Sequence, residues 1–341
     1  MSVLESITRK PGLSKIANSK ALQVMGPFLT IGIISLIFAL STPTFRTTSN
    51  LLSMCLAAAI YVVLAMGLSF VLIVGGTDLS AGSIVALSGM VSCLFMAKMG
   101  LNIMASVSLG ILTGVMCGVI NGLLSTRLGL IPFIATLGTQ WVYRGMTNIL
   151  GNGMPVSVRT SPVKEMADQF YIMGGGRVLG IPVPVYIFVF CALVLSFLLS
   201  KTVFGRNVYA IGSNSEAARL SGIKVFKTQM FAYAICGGMS GLAGVMLAAR
   251  LTSAQTNAGT GYEFEGIFAA VIGGVSLAGG EGSIMGAVIG AFVVAILRNG
   301  LNLNGVNTFW QQVILGIIIV VAVFIDVQRS KRQNRVRAMN S

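Results

Sequence analysis

Apolar residues in this chain fall in long runs broken by short polar or glycine-rich stretches, with neither the alternation of strands nor the one-sided spacing of surface helices. A hydrocarbon core about 30 Å thick takes roughly 20 such residues per helix. Ten runs of suitable length lie near 22–40, 51–74, 80–97, 102–125, 131–150, 184–200, 228–249, 262–278, 283–299 and 309–326. Residues 1–21 are a basic segment with Arg9, Lys10, Lys15 and Lys20. The run after it is too long for a signal peptide's apolar region and lacks a cleavage site, so it is expected to remain as a membrane helix. The pattern predicts an all-α polytopic membrane protein: a ten-helix domain over 22–327 and a basic tail at 328–341.

Composition supports this. Of 341 residues 55% are hydrophobic and 9% charged, whereas a soluble domain carries about 25% charged residues. Lys and Arg number 23 against nine acids, with no histidine, and the net charge is +14. In a water-soluble chain that excess would suggest nucleic acid. Here 15 of the 23 cations fall on one side if both termini are cytoplasmic, which is where the positive-inside rule puts them. Nucleic acid is therefore not an expected partner. The five cysteines sit inside apolar runs without a CxxC pair, so neither a disulfide framework nor a metal site is indicated.

Two segments echo each other: GGTDLSAG at 75–82 and GGVSLAGG at 273–280, matching at Gly75/Gly273, Gly76/Gly274, Leu79/Leu277 and Gly82/Gly280. Both follow an outside-to-inside run and precede its return, as a parallel internal repeat would. Their glycines read as close-packing sites or hinges. Asp78 and Ser80 stand just before an apolar run, where their oxygens can accept from free amides of a helix N-terminus. A membrane-embedded carboxylate also carries a second reading, titration or solute contact.

Two loops exceed simple turns. The outer loop, 151–183, carries an amphipathic stretch between Gly/Pro turns. The inner loop, 201–227, contains Ser213 and Glu216 in an S-x-x-E capping box, helix formers Ala217, Ala218, Arg219 and Leu220, and Gly222 as a stop. It predicts two turns of helix. Such a helix needs a surface to rest on, the membrane domain or a partner protein.

Four segments together resemble the permease subunits of bacterial ABC importers for monosaccharides of the ribose, galactose and xylose type. They are GGTDLSAGS (75–83), NGLLSTRLGLIPFIATLGT (121–139), GRNVYAIGSNSEAARLSGI (205–223) and AAVIGGVSLAGGEGSIMGAVIGA (269–291). The resemblance implies a fold similar to type II-like importer permeases, placed in the bacterial inner membrane. It implies that the inner loop is the coupling helix that meets a separate ATPase, carried by Gly205, Arg206, Asn214, Glu216, Ala217, Ala218, Arg219 and Gly222. The implied partners are a second permease chain, identical or homologous, two ATPase domains holding ATP and Mg, and an extracytoplasmic sugar-binding protein. For docking that protein the outer cations Arg159, Lys164, Arg177 and Arg250 are candidates. Phe133, Thr136 and Thr139 are candidates for the translocation path, and Trp141 reads as a packing or interface anchor ahead of a sugar-stacking residue.

No P-loop pattern occurs in the chain, so nucleotide chemistry is assigned to the partner and no cofactor to this chain. No Ser/His pair, carboxylate pair or ligand cluster supports an enzyme; Glu263 and Glu265, two apart on a helix, are expected to point in different directions. An ion-coupled secondary transporter is the competing class. It is disfavoured because the acids lie at span ends or in loops. Within the importer class, another small polyol or the autoinducer-2 signal stands beside a monosaccharide as cargo.

Overall fold

The computed structural model describes residues 20–318 with 320, 321 and 324, and side chains from residue 29. The basic segment before residue 20 and the tail from 328 lie outside the described residues. The chain is helical almost throughout. Helix α1 spans Lys20–Ser41, followed by a short 3-10 turn at Pro43–Arg46, α2 at Thr48–Ile73, α3 at Ala81–Met99, α4 at Ile103–Thr126 and α5 at Pro132–Gly151. The outer loop holds β1 (Val156–Ser157), α6 (Met166–Gly175) and the hairpin β2 (Arg177–Val178) and β3 (Ile181–Pro182). Then come α7 (Val183–Lys201), α8 (Val203–Ser213), α9 (Ser215–Leu220), α10 (Val225–Leu251), β4 (Ser253–Ala254), α11 (Tyr262–Ile272), α12 (Ile284–Leu303) and α13 (Thr308–Ile318).

Local chemistry sets the helix starts. Thr47, Asn102 and Ser283 accept from the amides of Asn50, Ala105 and Gly286, each satisfying one of the donors a helix N-terminus leaves free. Proline opens α5 and α7, where its missing N–H removes no hydrogen bond. Among the described residues six helices, α2, α3, α4, α7, α10 and α12, are long and apolar enough to cross a membrane. Helix α5 is of similar length but carries Thr136, Thr139, Gln140, Arg144 and Asn148 along it.

Helix α10 lies at the centre, packed on α2, α3 and α4. Small residues allow this approach, because between membrane helices close backbone contact supplies much of the attraction. A Cβ on Gly114 would strike the Gly237 carbonyl, one on Gly118 the Tyr233 carbonyl, and one on Gly244 the Val85 carbonyl. The same holds at the late echo: a Cβ on Gly273 would strike the Gly286 carbonyl, and one on Gly290 the Ala269 carbonyl. Close packing is thus the role of these glycines.

The run at 262–278 departs from the sequence expectation. Its helix, α11, has 11 residues, about 16 Å at 1.5 Å per residue, half of what a span needs. It ends at the turn through Gly273 and Gly274. Upstream, residues 252–261 are not continuous helix; they run back along α3 until Gly259 packs on Gly82 and Val85. Non-helical backbone at such depth is tolerated only where its polar groups are satisfied by protein. Arg144 of α5 does this, donating from Nη1 to the carbonyls of Thr256 (2.9 Å) and Ala258 (2.7 Å).

Candidate functional site

The inner loop is more structured than the sequence suggested. Helix α8 fills its first half, with Val208 and Ile211 buried and Arg206 exposed. It starts on the Thr202 side chain, which accepts from the Gly205 amide (3.2 Å). Gly205 is required by proximity, since a Cβ there would strike the Leu199 carbonyl. The expected capping box does not form: Ser213 is the last residue of α8, and Asn214 instead caps α9 by accepting from the Ala217 amide (2.9 Å). Glu216 does not hold the cap either. It receives the guanidinium of Arg219, with Nε to Oε2 at 3.2 Å, and this cation holds its carboxyl below the usual range. Gly222, at φ +82°, ends the helix, its amide bonding Arg219 O and the next amide Ala218 O. Of the two alanines, Ala218 faces inward and is buried, whereas Ala217, Glu216, Arg219 and Leu220 are exposed.

What α8 rests on joins the two glycine-rich segments. The Gly280 amide donates to the Ile73 carbonyl (2.8 Å), so the end of α2 is bonded directly to the late segment. Gly212 of α8 sits over this bond: a Cβ on it would strike the Ile73 carbonyl and crowd Gly280 N at 2.5 Å. Tyr209 donates to the Gly282 carbonyl (2.7 Å). Three backbone segments from distant parts of the chain therefore meet without intervening side chains, with α9 projecting beyond them.

Asp78 lies behind this junction, fully buried. It accepts from the Ser80 amide (2.9 Å) and hydroxyl (2.7 Å) at the entry to α3, as a junction residue should. It also receives Asn121 Nδ2 of α4, 3.3 Å from each carboxylate oxygen. Asn121 Oδ1 accepts in turn from Thr139 (2.7 Å) and Tyr143 (3.2 Å) of α5, and Thr136 receives the Leu79 amide (3.1 Å). Thr136 and Thr139 are thus buried among polar groups of α4, α5 and the turn before α3, while Phe133 and Trp141 of α5 are exposed. Asn121 and Tyr143 were not singled out from sequence. Tyr143 shares a face with Thr136, Thr139 and Thr147 at helical spacing, and that polar stripe was the available signal.

Gly76 and Gly82 are placed by contact: a Cβ on Gly76 would press on Tyr233 Oη at 2.6 Å, and one on Gly82 would strike the Glu263 carboxylate. Glu263 and Glu265 diverge as expected. Glu263 turns to α5, where Gln140 Nε2 donates to it (3.1 Å), and Glu265 turns to Arg298 of α12. In the 151–183 loop Arg159 pairs with Asp168 (2.9 Å) and Lys164 and Arg177 are exposed, and at the end of α10 Arg250 is half-buried. Among the described residues no cluster of three metal-ligating side chains occurs.

Long apolar helices, a buried polar network between them and a helical loop resting on helix ends fit a polytopic membrane protein. The chain belongs to the family described as the permease component of the branched-chain amino acid transport system, whose pattern matches residues 50–323. It is 43% identical to the ribose import permease protein of Bacillus subtilis over 91% of this chain and 94% of the relative. It is 39% identical to the ribose import permease protein of Escherichia coli K12 (87% and 92%) and 39% identical to that organism's D-allose transport system permease protein (90% and 92%). No solved structure matches. The chain is therefore a transport subunit rather than an enzyme, and a multi-pass protein of the bacterial inner membrane.

Proposed function

We propose that this chain is the permease of an ATP-driven importer for a monosaccharide, ribose or a close relative. In this reading it works as one of a pair, with both termini in the cytoplasm, α9 as the coupling helix and the outer loop as the landing site for a sugar-binding protein. ATP and Mg belong to the partner ATPase. The observation that carries the reading is the seat of α8: a displacement of α9 reaches the end of α2 and the 279–282 segment through backbone contacts at Gly212. Coupling needs a physical element whose position nucleotide binding can bias. The exposed Glu216, Ala217, Arg219 and Leu220 are the surface offered to the ATPase. The two glycine-rich segments, each ending a helix before a return, support a parallel repeat.

The test is uptake of labelled D-ribose into proteoliposomes holding the chain with its ATPase and binding protein. Uptake is expected to require ATP. Uptake that persists without ATP and follows an imposed ion gradient overturns the reading. The double variant Glu216→Lys, Arg219→Glu preserves the intrahelical pair and reverses each charge, so it is expected to insert normally yet fail to retain the ATPase on purification. Undiminished retention removes the coupling assignment.

A further inference from the structure

The broken segment before α11 places a second polar group beside the middle of α2, apart from the α8–α9 loop and the Asp78 network. Tyr61 stands at the middle of the 26-residue α2. Its ring lies 5.0 Å from that of Tyr262, the first residue of α11, and Arg298 of α12 lies over it at 5.8 Å. Arg298 also pairs with Glu265 in the first turn of α11, where the helix dipole favours an anion.

This group is neither closed nor fully satisfied. The Arg298 side chain is 37% exposed and that of Glu265 13%. Arg298 Nε is a buried donor with no hydrogen-bond partner among the described residues, and the Tyr61 hydroxyl is turned to Glu265. Thr260, just before α11, is exposed as well. A guanidinium open by more than a third cannot face acyl chains at this depth without a cost of several kcal/mol or a local water defect. The surface must border water or another polypeptide. Discontinuous helices whose ends open at mid-bilayer are where transporters hold their cargo, and aromatic faces beside a charged donor and acceptor pair suit a ligand with both C–H faces and hydroxyls.

We infer that Tyr61, Tyr262, Glu265 and Arg298 form a mid-membrane contact site for a polyhydroxylated solute. The Tyr262 ring, held by Tyr61, meets the C–H face of the sugar, Glu265 accepts from its hydroxyls, and Arg298 donates to them. The inference rests on the importer reading, and its test separates the two. In the reconstituted complex, Glu265→Gln is expected to lower D-ribose uptake per ATP hydrolysed about tenfold, the loss of roughly one charged hydrogen bond, with complex assembly and ATP hydrolysis retained. A purely structural role would lower assembly and hydrolysis together. In a second arm, Phe264→Cys, at a position 54% exposed beside the site, is placed in a Cys55→Ser background. A charged, membrane-impermeant thiol reagent is expected to label it in the assembled complex, and transported D-ribose to slow the labelling. An unchanged uptake ratio in Glu265→Gln, absence of labelling, or a disulfide between two copies at position 264 each overturns the site, the last by making the surface a subunit interface. Failure of the wild-type complex to take up D-ribose with ATP instead overturns the importer reading.

Discussion

The two glycine-rich segments echo each other in sequence yet are built into unlike halves. Their helix ends close in the same way: Gly75 at φ +86° with the Gly76 amide on Val71 O, and Gly274 at φ +88° with the Val275 amide on Ala270 O. The structural match is one residue out of step with the sequence match. Before the first turn, α2 runs unbroken for 26 residues; before the second, α11 has 11 and is preceded by non-helical chain. The polar groups follow this division. Beside the first turn Asp78, Ser80, Asn121, Thr139 and Tyr143 bond one another, whereas Glu263 and Glu265 of the second turn apart, one to Gln140 and one to Arg298. One half joins its polar side chains in a single network, and the other divides its two acids between separate partners.

The largest expected effect tests that division. Asp78→Ala removes the acceptor for the Ser80 amide and hydroxyl and for Asn121, and should cost about 3 kcal/mol or more, taking 1–3 kcal/mol per buried group left unpaired. Glu263→Gln keeps an oxygen for Gln140 and should cost under about 1 kcal/mol. Thermal midpoints of the two variants in detergent check this, and equal losses would erase the distinction between the halves. Next comes Gly212→Ala, whose Cβ meets backbone from both segments and cannot be relieved by a rotamer change. It is expected to cost about 1–3 kcal/mol and to lower uptake per ATP, whereas a wild-type ratio would mean that the two segments do not move through α8. The smallest effect concerns α9: Asn214→Ala should cost about 1 kcal/mol, read as faster hydrogen exchange at the Ala217 amide, with Ser213→Ala leaving that amide unchanged.

Much of the architecture was legible because apolar run length is a direct physical requirement of a hydrocarbon core. The runs at 51–74, 80–97, 102–125, 184–200, 228–249 and 283–299 each fall on a long apolar helix. What was not legible depended on contacts between distant segments. The run at 262–278 reads as continuous because Gly273 and Gly274 are apolar in composition, and only the left-handed turn at Gly274 ends the helix. The polar stretch TSAQTNAGTG at 252–261 was the available warning that α10 does not lead directly into a new span. Ser213 and Asn214 are both good caps; the choice fell to Asn214 because α8, invisible to a reading centred on the capping box, runs through Ser213. Asp78 was legible as a junction residue, but its bond to Asn121 joins positions 43 apart and no local pattern reports it.

The two-residue ladder between β1 and β4, Val156 with Ala254 and Ser157 with Ser253, ties the 151–183 loop to the chain that leads into the half-length helix. The Val158 amide adds a third rung on Thr252 O. The ladder at Ser253–Ala254 and the contact of Gly212 with Gly280 fall at opposite ends of one short stretch, residues 252 to 282.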